Sequence, residues 1–216
     1  MWDLVRRWEK GWERARSLAP AEPIDGGLRI VCLQPSRDIE ILALDDSPSS
    51  LTKLARQLGT ETTSAWLTVP TTRPQPTSTT LANAGLTFHS RSEALMAIDL
   101  NPDSPAALPG GYELAVTHDG DTILATVARG ADVAASGVAG LCGTDAIFDK
   151  IMTEPPHRRR GLGRTVMSAL TTAALERGAT AGVLIASPDG QALYTPLGWA
   201  THADVLITRY VDRAGA

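Results

Sequence analysis

Residues Ile147–Met167 read I-F-D-K-I-M-T-E-P-P-H-R-R-R-G-L-G-R-T-V-M. The pattern predicts a strand over 145–153, a turn at the two prolines, three arginines, and G-L-G opening a helix over 161–177. Leu162, Val166, Leu170 and Ala174 fall on one side of that helix, and Gly178 stops it. Physically this is an anion site. The first turn of a helix leaves about four N–H groups unpaired, and the macrodipole adds partial positive charge there. Gly161 and Gly163 let a ligand come close to the backbone. From Asp149 to Arg164 five basic residues face two acidic ones, a local formal charge of +3 in a chain whose net charge is −4. A phosphate or pyrophosphate is the natural occupant.

Three phosphate-binding patterns compete for the stretch. The string G-x-x-x-x-G-K-[ST] is absent. The dinucleotide fingerprint needs a third small residue where Val166 stands and an acid after the next strand, where Asp189 is a partial match. The pattern R-x-x-G-x-G is met in full by Arg158 to Gly163.

Composition narrows the class. With 216 residues, 43% apolar and 20% charged, the chain is of ordinary globular type and long enough for a sizeable core. Its acidic balance provides no global basic field for nucleic acid. Cys32 and Cys142 lie far apart, and His89, His118, His157 and His202 are scattered, so no metal site is expected and two small buried thiols are. No apolar run reaches the roughly 20 residues of a membrane span, and the N-terminus lacks the apolar core of a signal peptide. The default expectation is a cytoplasmic, reduced protein with no membrane partner.

The rest of the chain reads as alternating elements. An amphipathic helix over 2–18 carries Val5, Trp8, Trp12 and Ala15. Its mixed charges argue for packing rather than a membrane surface, and Trp2, Trp8 and Trp12 are available for a subunit interface, which leaves a homodimer open. Strands follow at 28–34 and 38–44, then a helix with Leu51, Leu54, Ala55 and Leu58 on one face that ends at Gly59. A strand at 64–69, a Pro/Thr-rich loop at 70–79, a short helix at 79–84 and a strand at 94–100 complete the first half. Residues 101–111 have linker composition. Strands at 112–117 and 122–127 flank a hairpin turn at Asp119-Gly120, followed by a strand at 132–140. After the helix come strand 181–186, a short helix at 189–195, L-G-W, and a strand at 205–210. The two halves share an element order, with Gly85-Leu86 corresponding to Gly198-Trp199.

Taken together, the strand, the R-R-R-G-L-G turn, the helix ending E-R-G-A, the strand ending A-S, and L-Y-T-P-L-G-W resemble the GNAT acyl-CoA N-acyltransferase family over about 145–210. The resemblance implies an α/β GNAT fold, a twisted mixed β-sheet flanked by helices. It is similar to the members built of two GNAT-like halves: a degenerate one at 1–100 and an acetyl-CoA-binding, catalytic one at 101–216. D-D-S-P-S-S-L stands where the first half would need its glycine turn, so one active site is expected. The resemblance implies that Ile151, Met152 and Thr153 bind the pantetheine arm and acyl carbonyl on a strand that splays from its neighbour. It places the pyrophosphate on the backbone of Arg159, Arg160, Gly161, Leu162, Gly163 and Arg164, with a side-chain contact from Arg158. Ser187 stands where many members carry an asparagine.

Tyr194 is the candidate general acid, since a phenol can protonate a departing thiolate. Strand alternation puts Asp145 and Asp149 on one face with Ile151 and Thr153, which makes Asp149 the nearest candidate base. Glu154 and His157 lie at the turn. The function implied is direct transfer of an acetyl group from acetyl-CoA to an amine, without a metal. The acceptor is a small molecule or a peptide amine, and a mildly acidic chain suits a cationic one. A non-catalytic acyl-CoA-binding sensor or scaffold is the alternative, and another kind of nucleotide-binding α/β domain a third reading.

Overall fold

The computed structural model describes residues 1–102 and 106–210. Part of the expected linker, 103–105, and the last residues of the second half, 211–216, lie outside them. The helices are α1 (Trp2–Arg16), α2 (Pro48–Leu58), α3 (Pro74–Asn83), α4 (Leu162–Glu176) and α5 (Pro188–Tyr194). The strands are β1 (Glu22–Ile24), β2 (Gly27–Gln34), β3 (Arg37–Ala43), β4 (Ala65–Thr71), β5 (Thr87–Asp99), β6 (Glu113–Asp119), β7 (Thr122–Arg129), β8 (Asp132–Cys142), β9 (Asp145–Thr153), β10 (Ala181–Ala186) and β11 (Ala200–Arg209). They form one mixed sheet in the order β1-β2-β3-β4-β11-β5-β10-β9-β8-β7-β6. No described helix is long and apolar enough to cross a membrane.

Strand alternation divides the core into two faces. One face packs Leu42, Val183 and Val205 beneath Val5, Trp8 and Trp12 of α1. On the other, Ile41, Val69 and Leu206 pack under Leu51 and Leu54 of α2, while Phe148 and Leu184 pack under Val166 and Leu170 of α4. Helix α1 lies unusually close to the sheet. A Cβ on Gly140 would collide with the backbone of Gly11 and Ala15, and one on Gly11 with Ile147. Trp8 and Trp12 are buried inside the chain, stacked with centroids 5.2 Å apart, and so do not form a subunit interface. Cys32 is buried and its thiol is pushed up to about 12, chiefly by burial, whereas Cys142 is only half-buried.

Several boundaries differ from the sequence reading. The stretch taken as a loop at 70–79 holds most of α3. Pro74 sits where a helix needs no N–H donor, and the hydroxyls of Thr79 and Thr80 donate to the carbonyls of Gln75 and Pro76, so Pro/Thr composition serves a helix start. Strand β5 begins seven residues earlier than expected and β11 five earlier, because each is extended by bulged pairing with the other. The hairpin turn is Gly120-Asp121, with Asp119 paired to Thr122.

The two halves repeat one another around the central β11–β5 pair. Parallel strands β3 and β4 are joined through α2, as β9 and β10 are through α4. Each second strand leads through a short helix into the pair, and each of these last strands then crosses over. β5 pairs with β10 of the second half, and β11 with β4 of the first. The helix exits match as well. Leu86 N–H donates to Leu81 O and Trp199 N–H to Tyr194 O, both at 3.2 Å, past Gly85 (φ 80°) and Gly198 (φ 88°).

Candidate active site

The site opens where β9 and β10 separate. Their pairing covers only Asp145–Ile147 against Ala181–Val183, so the remainder of each strand turns a free edge to the gap. On its other side β9 stays paired to β8 but gains a residue between Val138↔Asp149 and Ser136↔Met152, with Lys150 at φ 51°. This bulge overturns the alternation drawn from the sequence. Asp149 remains on the α1 face with Asp145, whereas Ile151 packs on the α4 face near Val166 and Thr153 approaches Gly163.

Helix α4 begins at this gap. Its N-cap is Gly161, at φ 81°, and no side chain caps the first turn. The N–H groups of Leu162, Gly163 and Arg164 are thus left for a ligand. Arg158, Arg159, Arg160 and Arg164 are exposed, and among the described residues none pairs with a carboxylate. Arg158 Nε donates to the Thr153 carbonyl at 3.1 Å, which ties the turn to the end of β9. A cleft of about 830 Å³ runs from these arginines along β9 to Tyr194 and Glu93. It is lined by every cofactor-site residue named from the sequence except Arg160, and by Asp149 and Tyr194.

The remaining candidates fall into place around it. Ser187 lines the cleft, and its hydroxyl caps α5 by accepting from Gly190 N–H at 3.3 Å. Tyr194 is buried against Trp199, and burial, followed by the charge of Asp149, holds its phenol well above the ordinary range. It therefore stays protonated at neutral pH. No hydrogen bond to its hydroxyl is made by the described residues. Asp149 is held by Arg16 in a two-point ion pair, Nε–Oδ2 2.5 Å and Nη2–Oδ1 3.0 Å. His157 meets the hydroxyl of Tyr112 at 2.9 Å and belongs to the turn.

Two acids escaped the sequence reading. Glu93 of β5 lines the cleft beside the last β5–β10 pair, Ala94↔Ala186. Glu40 of β3 is buried on the α1 face. An acid set between Ile39 and Ile41 in the apolar stretch 39–44 was the available signal for Glu40; for Glu93 there was none, since only strand exchange brings it here.

The first half has no counterpart to this site. At the start of α2 the Asp45 carboxylate accepts from Ser47 N–H (2.9 Å), Ser47 Oγ (2.7 Å) and Ser50 Oγ (2.5 Å), so the chain supplies its own anion there. Those bonds, that of Ser50 foremost, hold Asp45 below the usual carboxylate range. Asp46 is bound by Arg73 and Thr71, and Leu81 occupies the position of Tyr194.

Known proteins agree with this architecture. Residues 142–206 match the family model described as FR47-like protein. A GCN5-related N-acetyltransferase from Kribbella flavida superposes with a TM-score of 0.67 at 17% identity, covering 96% of this chain and 94% of its own. One from Sphaerobacter thermophilus gives 0.62 at 12% identity, over 85% and 76%. A tandem GNAT protein from the clavulanic acid biosynthesis pathway gives 0.56 at 13% identity, over 84% and 78%. No curated protein sequence matches the chain. The molecule is a GNAT-fold protein, and the GNAT resemblance of its second half is carried by the family model as well as by the fold.

Proposed function

We propose that this chain is an N-acetyltransferase that moves an acetyl group from acetyl-CoA directly to an amine, with one active site, in the second half. The observation that carries the reading is the uncapped start of α4. Four carboxylate-free arginines surround it, and it opens into a cleft that ends at a protonated tyrosine. The diphosphate of the donor lies on the N–H groups of Leu162 to Arg164, and Arg158 and Arg159 add charge-assisted contacts. The free edge of β9 at Ile151–Thr153 holds the arm and presents N–H groups to the oxygen on which charge develops during attack. Tyr194 gives its proton to sulfur as the C–S bond breaks. Among the described residues lining the cleft there is no cysteine, and its serine, Ser187, caps α5 rather than pairing with a base, which favours direct transfer over an acyl-enzyme. The sensor reading shares the first two features but gives no role to a protonated tyrosine at the cleft's far end.

The test is calorimetric titration with acetyl-CoA, followed by thiol release with amines. One equivalent is expected to bind. Gly163→Asp puts a negative side chain between Thr153 and Leu193, where even a Cβ would lie 3.2 Å from Leu193, and is expected to abolish binding while the fold melts normally. Absence of heat with the wild-type chain at millimolar acetyl-CoA overturns the reading.

A further inference from the structure

A second space opens off the cleft, on the opposite face of the sheet beneath α1. It measures about 120 Å³ and shares Glu93, Phe148, Asp149 and Ile185 with the cleft. Through the β9–β10 gap, what occupies it would face what occupies the cleft. Resting on the acetyltransferase reading above, we propose that this pocket takes the acceptor, that the acceptor is a short aliphatic diamine, and that Glu93 removes the proton from the nitrogen to be acetylated.

The chemistry of the walls supports this class. Trp8, Trp12, Phe148, Ile185 and Ile207 surround the space with aromatic and alkyl groups, which suit a methylene chain. The size is slightly below that of a cavity of about 150 Å³ that holds benzene, so about five or six heavy atoms fit. The charges leave a place for ammonium. Arg16 is consumed by Asp149 and by Gln34, to which it donates at 2.8 Å. Arg37 stacks on Trp66 at 4.2 Å and lies 3.2 Å from Glu40 Oε2, but without the alignment of a hydrogen bond. Glu40 is 3% exposed, and that buried oxygen has no hydrogen-bond donor. Glu93 makes no ion pair among the described residues. Each end of the pocket therefore offers a carboxylate with acceptor capacity to spare: at the gap Glu93, which takes a hydrogen bond from Ser90 but makes no ion pair among the described residues, and deep under α1 Glu40, whose Oε2 has no aligned hydrogen-bond donor.

The step balances as follows. Glu93 accepts one proton from the entering ammonium. The neutral nitrogen attacks the thioester carbon, a C–N bond forms and the C–S bond breaks. Sulfur takes the Tyr194 proton, the second proton leaving nitrogen refills the phenolate, and Glu93 returns its proton to solvent. Burial raises Glu93, against the pull of Arg37 and a hydrogen bond from Ser90, toward the range useful to a base. The other charged or titratable groups around it are Glu40 and Arg37 from β3, Arg16 from α1, Asp149 from β9 and Tyr194 from α5.

Thiol release is measured with 1,4-diaminobutane, n-butylamine and glycine as acceptors, alongside acetyl-CoA titration of every variant. The diamine is expected to exceed butylamine at least tenfold in kcat/KM. Glu40→Gln is expected to raise the KM for the diamine and erase that ratio. Glu93→Gln is expected to lower kcat about 100-fold and remove the acidic limb of the pH profile, and both variants should bind acetyl-CoA normally. If acetyl-CoA binds and monoamines or glycine react as well as the diamine, the assigned acceptor is wrong and the acetyltransferase reading stands. An acidic limb that survives in Glu93→Gln with kcat unchanged removes Glu93 from the reaction. If the wild-type chain neither binds acetyl-CoA nor releases thiol with any amine, both readings fall together.

Discussion

Tyr194 and Leu81 occupy the same place in the two halves, each accepting the backbone bond that closes a short helix before a left-handed glycine. Only one carries a hydroxyl, and that one faces the cleft. Both side chains are buried, so packing alone would be served by either. What distinguishes Tyr194 is its O–H, whose ionisation burial and then the charge of Asp149 disfavour further. Tyr194→Phe is therefore expected to leave the melting temperature and acetyl-CoA affinity unchanged and to lower kcat by about 100-fold or more. Unchanged turnover in steady-state assays would remove the tyrosine from the mechanism. Asp149 shows how much a strand leaves unsaid. It lines the cleft from β9, but its partner Arg16 lies on a helix at the other end of the chain, and nothing local announces that pair.

At the scale of elements, the starts of α2 and α4 make the relevant contrast. Both helices follow the first strand of a parallel pair, and both present unpaired N–H groups to the end of that strand. At α2 the Ser47 hydroxyl accepts from Ser50 N–H, and the Asp45 carboxylate fills the turn by accepting from Ser47 N–H and the two serine hydroxyls; at α4 a glycine cap provides no such acceptor, and arginines flank the turn. Asp45→Ala is expected to cost about 1 kcal/mol of stability at neutral pH by removing charge-assisted bonds at a half-exposed site. Because Asp45 is held below its ordinary value, its contribution exists above about pH 4 and fades as the carboxylate protonates, so the melting temperatures of variant and wild type should converge in acid. Acetyl-CoA stoichiometry should remain one per chain; a second equivalent in the variant would show that Asp45 alone blocked a latent site. Periodicity revealed α1, α2 and α4 because their apolar stripes are local. It placed only the second half of α3, whose prolines and threonines act as first-turn and backbone-bonding residues rather than as a loop.

For the whole molecule, the decisive feature is the exchange of β5 and β11. Each half ends in a strand inserted into the other's sheet, and α1 spans both by covering Val183 and Ile147 as well as Leu42. Residues 101–216 on their own would lack the strand between β10 and β11 and the helix over that face. Expressed alone, that segment is expected to show no cooperative thermal transition by circular dichroism and to aggregate through its open edges. A soluble, cooperatively melting fragment that binds acetyl-CoA would refute this dependence. The same exchange carries Glu93 from the first half into the second half's cleft, so both halves line it.

The amino-acid sequence alone determined the local chemistry: a glycine-opened, arginine-flanked helix start, the tyrosine before L-G-W, and the order of strands and helices apart from the short β1. These depend on residues within a few turns of one another, where side-chain spacing and backbone freedom act directly. Tertiary structure alone decided which face Asp149 shares, which guanidinium holds it, and that Glu40 and Glu93 line one pocket beneath two tryptophans. A bulge of one residue reverses side-chain direction along a strand, and pairing between distant strands sets neighbours by burial and backbone hydrogen bonding, neither of which leaves a mark in the spacing of nearby residues.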